Sequence, residues 1–278
     1  MSRRAARSSR RAPFCFVLFC LGLLVFLPLG TVAARAEDTT VTVQEEKQGD
    51  TVYLVATMKT NQCLEATVTV SATLLNMTAS VPLPLTREIT EKRTVLVAFT
   101  PVLASEARAY PWRYHWKYGR RLTRTIQSYL YALPYQDGPH PILQSPHGSF
   151  SHGVGSQDED AIDWGMPVGT PICAARAGIV VAVRADCAKG GRDLQIKPDF
   201  NYVIVRHDDG TCAEYIHLQQ DGVLVHVGEK VQIGQVIARS GDTGYLTEPR
   251  LHFAVFYTVD GYTRRTLPAA FQKTGGKE

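Results

Sequence analysis

Four residues in the second half of the chain have the chemistry of a metal-dependent hydrolase: His152, Asp163, His217 and His252. Two imidazoles and one carboxylate form a ligand set that holds zinc and leaves one coordination position open. Water at that position ionises with a pKa of roughly 7, and a further histidine nearby can move its proton. These residue types therefore predict a Zn²⁺ site in a hydrolase.

The elements that must position these residues are predicted to be short β-strands joined by tight turns. Strand patterns separated by turn-forming residues recur at 165–170, 179–183, 202–206, 214–218, 223–227, 236–238 and 251–257. Almost no stretch in this half has the periodicity of a helix. We expect residues 134–268 to form an all-β domain with short connections, packed as facing sheets.

Ordered motifs across this half resemble those of a known family. They are Asp-Trp-Gly-Met-Pro-Val-Gly-Thr-Pro at 163–171, Ala-Ala-Arg-Ala-Gly at 174–178, Tyr-Ile-His-Leu at 215–218, Val-Gly-Glu-Lys-Val at 227–231, Gly-Asp-Thr-Gly at 241–244 and Leu-His-Phe at 251–253. In order and spacing, residues 144–257 resemble the lysostaphin/LytM-type zinc endopeptidases. The resemblance implies a LytM-like β-sheet domain, a duplicated hybrid motif, that binds Zn²⁺ and cleaves peptidoglycan peptides.

The resemblance also implies roles for single residues. Asp163 and His252 match zinc ligands, and His217 matches the catalytic histidine that polarises the attacking water. The first histidine ligand commonly stands four residues before the aspartate, where this chain has Glu159. A subgroup with an upstream Ser-His implies His152 instead, and a His/Asp/His site acidifies its water better because it carries less negative charge. We expect His152 to be the ligand, with Glu159, on the strand face of Asp163, as the alternative.

Strand geometry adds expectations about orientation. Because alternate residues of a strand share a face, Tyr215 and His217 should point the same way, as should Arg250 and His252. Arg250 stands where the family has the first histidine of His-x-His, and a guanidinium cannot accept a proton from water. It can stabilise a developing oxyanion or hold a substrate carboxylate. Alternatively, it marks a catalytically impaired module that binds the cell wall or regulates another wall hydrolase.

Other polar residues of this half are expected to play lesser parts. We interpret Asp158 and Asp160 as solvated loop charges, and His207 and His226 as exposed residues at turns. Asn201 matches a family position that helps to shape the site.

The first residues of the chain predict a secretory signal peptide at 1–36. Five arginines precede an apolar run at 14–29, and the small-residue pattern Ala-Arg-Ala follows at 34–36. We expect cleavage after Ala36, with an uncleaved anchor as the alternative. The mature chain should then be exported, to the periplasm or to the extracellular space and cell wall, without a membrane span.

The charge of the chain belongs largely to this leading segment. Removing 1–36 takes away six arginines and no acidic residue, so 24 basic side chains remain against 26 acidic ones, a formal charge of −2. The mature chain therefore lacks the basic excess typical of nucleic-acid-binding proteins, and no nucleic-acid partner is expected.

Four cysteines remain in the mature chain: Cys63, Cys173, Cys187 and Cys212. An even number in an oxidising compartment indicates one or two disulfides. We expect one bridge among the three cysteines of the C-terminal half, with buried free thiols as the alternative.

The N-terminal half, 37–133, alternates in polarity with period two at 52–55, 66–70 and 94–97, which predicts a small antiparallel β-sandwich. An aromatic stripe at 112, 114, 116 and 118 is interpreted as the inner face of its last strand rather than as a sugar-binding platform. Turn-forming residues at 136–141 place the domain boundary near 134. A flexible tail is expected at 269–278.

Overall fold

The computed structural model describes residues 40–272 except 123–125, 127 and 198. The predicted signal peptide lies outside this range. Within it, no helix has the length and hydropathy needed to cross a membrane.

The N-terminal half consists of strands that form two antiparallel sheets. The strands are β1 (Val41–Gln48), β2 (Thr51–Met58), β3 (Ala66–Ala72), β4 (Met77–Ala79), β5 (Leu85–Ile89), β6 (Arg93–Pro101) and β7 (Trp112–Tyr118). One sheet has the order β1-β2-β6-β4, and the other has the order β5-β3-β7. Apolar residues from both sheets share one buried cluster that includes Leu54, Val68 and Phe99. The three alternating segments all lie within strands, as predicted.

The aromatic stripe lies on β7. Trp112, Tyr114, Trp116 and Tyr118 are partly buried and pack against the N-terminal core, whereas Arg113 and His115 on the opposite face are exposed. The interpretation of the stripe as an inner strand face is confirmed.

Apart from one short 3₁₀ helix, the regular structure described in the C-terminal half is all strand, as predicted. Its elements are β8 (Leu130–Tyr131), β9 (Ile142–Gln144), β10 (Ile162–Gly165), β11 (Pro171–Cys173), β12 (Gly178–Arg184), β13 (Gly190–Gly191), a 3₁₀ helix (Leu194–Ile196), β14 (Asn201–Arg206), β15 (Cys212–Val223), β16 (Lys230–Val231), β17 (Val236–Ser240), β18 (Gly244–Tyr245), β19 (Arg250–Thr258), β20 (Arg264–Leu267) and β21 (Ala270–Phe271). The strands expected at 165–170 and 223–227 are wrong, because β10 ends at Gly165 and β15 ends at Val223, and loops and turns follow.

Ten of these strands form one sheet. Its main path is β16-β12-β14-β15-β19-β10-β9; β17 pairs with β11 and β15, and β20 pairs with β19. Within the predicted tail, Ala270–Phe271 pair in parallel with β8, and residues 273–278 lie outside the described range.

The central strands of this sheet are buried on both faces. One face contributes Tyr215 and Phe253 to the largest apolar cluster of the half. The other contributes Ile216 and Phe256 to a smaller cluster, against which Tyr118 from the N-terminal half packs. Central strands are therefore apolar on both sides, and a polar residue within them needs a specific partner.

A buried carboxylate joins the two halves of the described chain. Glu65 is fully buried, and its two carboxylate oxygens lie 3.0 Å from Nε of Arg120 and 2.9 Å from Nε of Arg206. Burial raises the pKa of Glu65, and the two guanidiniums oppose that rise. Beside it, the Leu64 amide donates to the Val181 carbonyl of β12 at 2.7 Å. We call Glu65, Arg120 and Arg206 the Glu65 clasp. The domain boundary near residue 134 stays a prediction.

Cys63, Cys173, Cys187 and Cys212 are all buried, and no disulfide joins any two of them. The expected bridge among Cys173, Cys187 and Cys212 is therefore wrong, and the alternative of buried thiols describes the structure. Burial in apolar surroundings raises the pKa of Cys212, which keeps this thiol protonated and unreactive.

Candidate metal centre

The site begins with two neighbouring strands, β10 and β19. Their antiparallel register sets Asp163 directly opposite His252 and Gly165 opposite Arg250. Opposed residues project from the same face, so Oδ1 of Asp163 lies 2.8 Å from Nδ1 of His252. Arg250 reaches the other oxygen of the same carboxylate at 2.9 Å. The predicted shared face of Arg250 and His252 is confirmed.

His152 comes to these two residues from a loop rather than from a strand. Its side chain is fully buried, and Nε2 lies 3.4 Å from Oδ1 of Asp163 and 3.4 Å from Nδ1 of His252. Nδ1 lies 3.3 Å from the carbonyl oxygen of Ser145. Since a carbonyl only accepts, Nδ1 donates there, and Nε2 is the ring nitrogen that faces the other two groups.

The three groups fit a small tetrahedral cation. One ligand atom from each of His152, Asp163 and His252 lies within 4.8 Å of the others, and all three residues are buried. Tetrahedral bonds of about 2.0–2.1 Å place neighbouring ligand atoms about 3.3 Å apart. The separations of 3.4, 3.4 and 2.8 Å are close to that value. Two imidazoles and one carboxylate would hold the ion and leave a fourth position for water.

Glu159 lies away from this group. β10 begins at Ile162, so the expectation that Glu159 shares a strand face with Asp163 is wrong. Its carboxylate accepts from the Gly155 amide at 3.0 Å and lies 3.4 Å from Nδ1 of His147. The Glu159 carboxylate thus binds groups of its own loop. Of the two alternatives, His152 is the residue that lies beside Asp163 and His252.

Two neighbouring acids are not the solvated charges that we expected. Asp158 forms an ion pair with Arg264 of β20. Asp160 accepts from the Thr266 hydroxyl at 3.2 Å, and its amide donates to the same hydroxyl at 3.1 Å. Both acids therefore attach the loop that carries His152 to β20.

Arg250 is part of the site, with only 6% of its surface exposed. One guanidinium nitrogen donates to Asp163, and another donates to the Thr247 hydroxyl at 3.3 Å. Burial disfavours the ionised form of Asp163, but hydrogen bonds from His152 and His252 outweigh it and hold the pKa of this carboxyl well below its usual range. Asp163 is therefore a carboxylate at neutral pH.

His217 lies on the opposite face of β15 from Tyr215, so the expectation that they share a face is wrong. The register between β14 and β15 shifts there, because Asn201 pairs with Leu218 and Tyr202 pairs with Ile216. His217 is the extra residue of a β-bulge and has a φ of 65°. Its ring centre consequently lies 6.2 Å from that of His252, while Tyr215 points into the main core.

The chemistry of His217 suits a proton acceptor. Burial and the positive charges of His252 and Arg250 lower the pKa of His217 to about 4. Nδ1 lies 2.7 Å from the Thr243 carbonyl oxygen, so the neutral ring carries its hydrogen there and its lone pair on Nε2.

Asn201 and Thr243 hold the bulge in place. The Asn201 side chain is fully buried and donates to the carbonyl oxygens of Cys187 at 2.9 Å and Leu218 at 3.3 Å. The Thr243 hydroxyl donates to the Leu218 carbonyl at 2.8 Å. Asn201 thus shapes the site through the backbone that follows His217.

Sequence reasoning missed Glu214, whose signal is a single acid between apolar residues of a central strand. Glu214 lies diagonally across from His252 on the same face, because Ile216 pairs with His252 and Glu214 with Ala254. Its Oε1 lies 3.5 Å from Nε2 of His252. Burial disfavours the charge of Glu214, but ion pairing with Arg264 and His252 outweighs it and lowers the pKa of Glu214 to about 2. Burial also disfavours the charge of His252, but the carboxylates of Asp163 and Glu214 outweigh it and raise the pKa of His252 to about 10.

Two other histidines behave differently from each other. His226 is 83% exposed in its side chain and lies 2.9 Å from Glu229, as expected of a surface residue. His207 is fully buried beside the Ala177 carbonyl, which corrects the expectation of exposure. Burial lowers the pKa of His207 to about 4.

Comparison with known proteins finds similarity to one family of peptidases. Residues 157–263 match the model of peptidase family M23. The chain is 31% identical over 150 residues to the peptidoglycan DD-endopeptidase ShyA of Vibrio cholerae, covering 51% of this chain and 29% of ShyA. It is 32% identical over 149 residues to lysostaphin of Staphylococcus simulans, covering 52% of this chain and 26% of lysostaphin. The chain thus spans less than a third of either relative.

Solved structures with a similar chain include a zinc-containing peptidase from Vibrio cholerae, at 19% identity and a TM-score of 0.36, covering 78% of this chain and 54% of that one. The catalytic domain of lysostaphin from Staphylococcus simulans has 28% identity and a TM-score of 0.32, covering 48% and 88%. Residues 157–263 thus match peptidase family M23, and the C-terminal half is similar to endopeptidases of the lysostaphin type.

Proposed function

We propose that the mature chain is an exported zinc metalloendopeptidase that hydrolyses peptide cross-links of bacterial peptidoglycan. The observation that carries this proposal is the convergence of His152, Asp163 and His252, three buried groups whose ligand atoms all lie within 4.8 Å of one another. We assign these three residues as the zinc ligands. The names of the relatives support the substrate class, since ShyA and ShyC are both peptidoglycan DD-endopeptidases.

The residues around the ligands supply the rest of the chemistry. Zinc, when bound, acts as a Lewis acid that lowers the pKa of water to roughly 7. His217 presents a free Nε2 lone pair, which suits it to accept the proton of the attacking water. Arg250 keeps its charge and can stabilise the oxyanion that develops on the peptide carbonyl.

The leading segment supports the place of action. A signal peptide at 1–36 would send the mature chain to the periplasm or the cell wall, where peptidoglycan lies. Mass spectrometry of protein recovered from the exporting cells should find a chain that begins at Glu37. A chain that retains residues 1–36 would contradict release and support an anchor.

The central test measures zinc and hydrolysis in the same preparations. We expect the mature protein to hold one zinc ion per chain after reconstitution and to release muropeptides from purified peptidoglycan. Asp163→Asn should lose both properties. Asp50→Asn is the matched control, because Asp50 lies between β1 and β2 with 69% of its side chain exposed. Absence of stoichiometric zinc from the wild type, together with full digestion by Asp163→Asn, would refute the proposal.

The position of Arg250 favours a second candidate function. Its guanidinium occupies the strand position opposite Gly165 and binds the Asp163 carboxylate at 2.9 Å, where it cannot accept a proton. The chain would then be a catalytically impaired LytM-like module that binds the wall or regulates another wall hydrolase. A zinc-loaded protein that leaves muropeptides intact, yet changes the rate of a separate wall hydrolase, would favour this function over the first.

A further inference from the structure

Arg264 of β20 bridges two acids that come from different parts of the site. One guanidinium nitrogen pairs with Glu214 of β15, and the other pairs with Asp158 of the loop that carries His152. The carbon of the guanidinium lies 4.8 Å from the centre of the Phe256 ring. With 16% of its side chain exposed, Arg264 is an internal residue held by three partners.

The first arm of this bridge ends at His252. Oε2 of Glu214 faces Arg264, which leaves Oε1 3.5 Å from Nε2 of His252 and without a hydrogen bond to any other described residue. Nδ1 of His252 points the opposite way, towards Asp163 and His152. An acceptor behind one ring nitrogen fixes the ring orientation and leaves the other nitrogen for a metal.

The second arm ends beside His152. The Asp158 amide donates to the Ser156 hydroxyl at 3.3 Å, and that hydroxyl donates to the Ser151 carbonyl at 3.2 Å. Ser151 directly precedes His152, which has no strand of its own to fix its position. The pairing of Asp158 with Arg264 therefore ties this part of the loop to the sheet.

Asp158, Glu214 and His252 also form a group whose ligand atoms lie close enough for a metal. Arg264 donates to both of these carboxylates, so its guanidinium already offsets part of their negative charge. This group is better explained as an ion network around a guanidinium than as a second metal site.

We propose that Arg264 is a positioning residue for the metal centre. Its guanidinium fixes Glu214, which orients His252, and Asp158, which ties the loop of His152 to the sheet. This inference rests on the proposed function in that it requires zinc to bind at the His152, Asp163 and His252 group. It adds a role for a residue that touches neither the metal nor the substrate.

Zinc affinity of the full mature chain tests this role, measured by competition with a chromophoric chelator. We expect Arg264→Gln to bind zinc about 10–100-fold more weakly than the wild type, the loss typical of residues that orient metal ligands. Arg265→Gln is the matched control, because Arg265 follows on the same strand and is exposed. It should bind zinc as the wild type does.

A second variant keeps the test decisive if Arg264→Gln does not fold. Asp158→Asn breaks only the loop arm, and the Asp158 side chain is 34% exposed, so the fold should survive. We expect a loss of severalfold in zinc affinity and an altered visible absorption of the Co²⁺-substituted protein, which reports ligand geometry. Thermal unfolding of the metal-free variants separates this effect from a loss of stability.

The outcomes separate the two proposals. Unchanged zinc affinity and Co²⁺ absorption in folded Arg264→Gln, or in Asp158→Asn if the former does not fold, would overturn the role of Arg264 and leave the proposed function standing. A wild type that binds no zinc would overturn the proposed function and this inference with it.

Discussion

Under the proposed function, zinc has to displace a proton that the metal-free site holds on His252. The carboxylates of Asp163 and Glu214 outweigh burial and raise the pKa of His252 to about 10. The ring is therefore protonated at neutral pH, and only its neutral form can bind a metal through Nδ1. We predict that zinc affinity rises with pH and that binding releases about one proton from this residue.

The size of the effect follows from the pKa. Displacing the proton at about pH 7.5 costs about 3.4 kcal/mol, because each of roughly 2.5 pKa units is worth about 1.4 kcal/mol. The apparent affinity should then be about 300-fold below that of a site with a neutral ring, and should rise about tenfold per pH unit from about pH 7 to about pH 9. Asp163 adds nothing to this slope, because it is already ionised.

Two measurements check this prediction. Chelator competition at a series of pH values gives the slope, and titration calorimetry in buffers of different ionisation enthalpy gives the number of protons released. Glu214→Gln removes one of the two carboxylates that raise the pKa of His252, so its affinity should stop rising at a lower pH. The metal-free protein should lose stability as pH rises from about 6.5 through about 10, because the raised folded-state pKa stabilises only while the proton stays bound.

A zinc affinity that does not change between about pH 7 and about pH 9, with no proton release, would refute this reasoning. It would mean that the metal-free ring is neutral and that the two carboxylates do not hold a proton on it.

Three further predictions concern catalysis, packing and acid stability. His217→Gln should reduce muropeptide release by about 10²–10⁴-fold and leave zinc affinity unchanged in chelator competition, and a comparable loss of zinc would instead make His217 a ligand. Phe253→Ala should cost about 3–5 kcal/mol in urea unfolding, because Phe253 is 1% exposed and packs on Tyr215 and Trp164; a loss below about 1 kcal/mol would contradict the packing. His207 has a pKa lowered to about 4 by burial, so unfolding free energy should fall by up to about 3 kcal/mol as pH drops from about 6.5 to about 4. His207→Gln should remove the contribution of His207 to this fall and leave that of His217, whose pKa is also lowered to about 4. His226→Gln, at an exposed site, should leave the whole fall unchanged.

The part of the site that lies on regular strands was predictable from the sequence. Alternation places Arg250 and His252 on one face of a strand, and the ordered motifs place Asp163 beside them. The first relation depends on local periodicity and the second on the family resemblance, and the structure has both. The sequence left the first histidine ligand open between His152 and Glu159, because the position of the loop that carries both was not known.

The remaining features depend on partners that are distant in sequence. The face of His217 is set by a bulge, and a bulge exists only in the pairing of two strands, here at Asn201 and Tyr202 of β14. Asp158 was interpreted as a solvated charge because its partner, Arg264, is 106 residues away. The alternation of residues along a single strand predicts neither the bulge at His217 nor the ion pair of Asp158.

The Glu65 clasp has a consequence for how the protein unfolds. Separating the two halves would part the buried Glu65 carboxylate from Arg206 of β14, and would bring Ile216, Phe256 and Tyr118 into water. Both losses are costly. The two halves should therefore unfold together in one cooperative transition. A C-terminal fragment cut near residue 134 would expose the apolar sheet surface around Ile216 and Phe256, next to His217 and His252, and should be prone to aggregate.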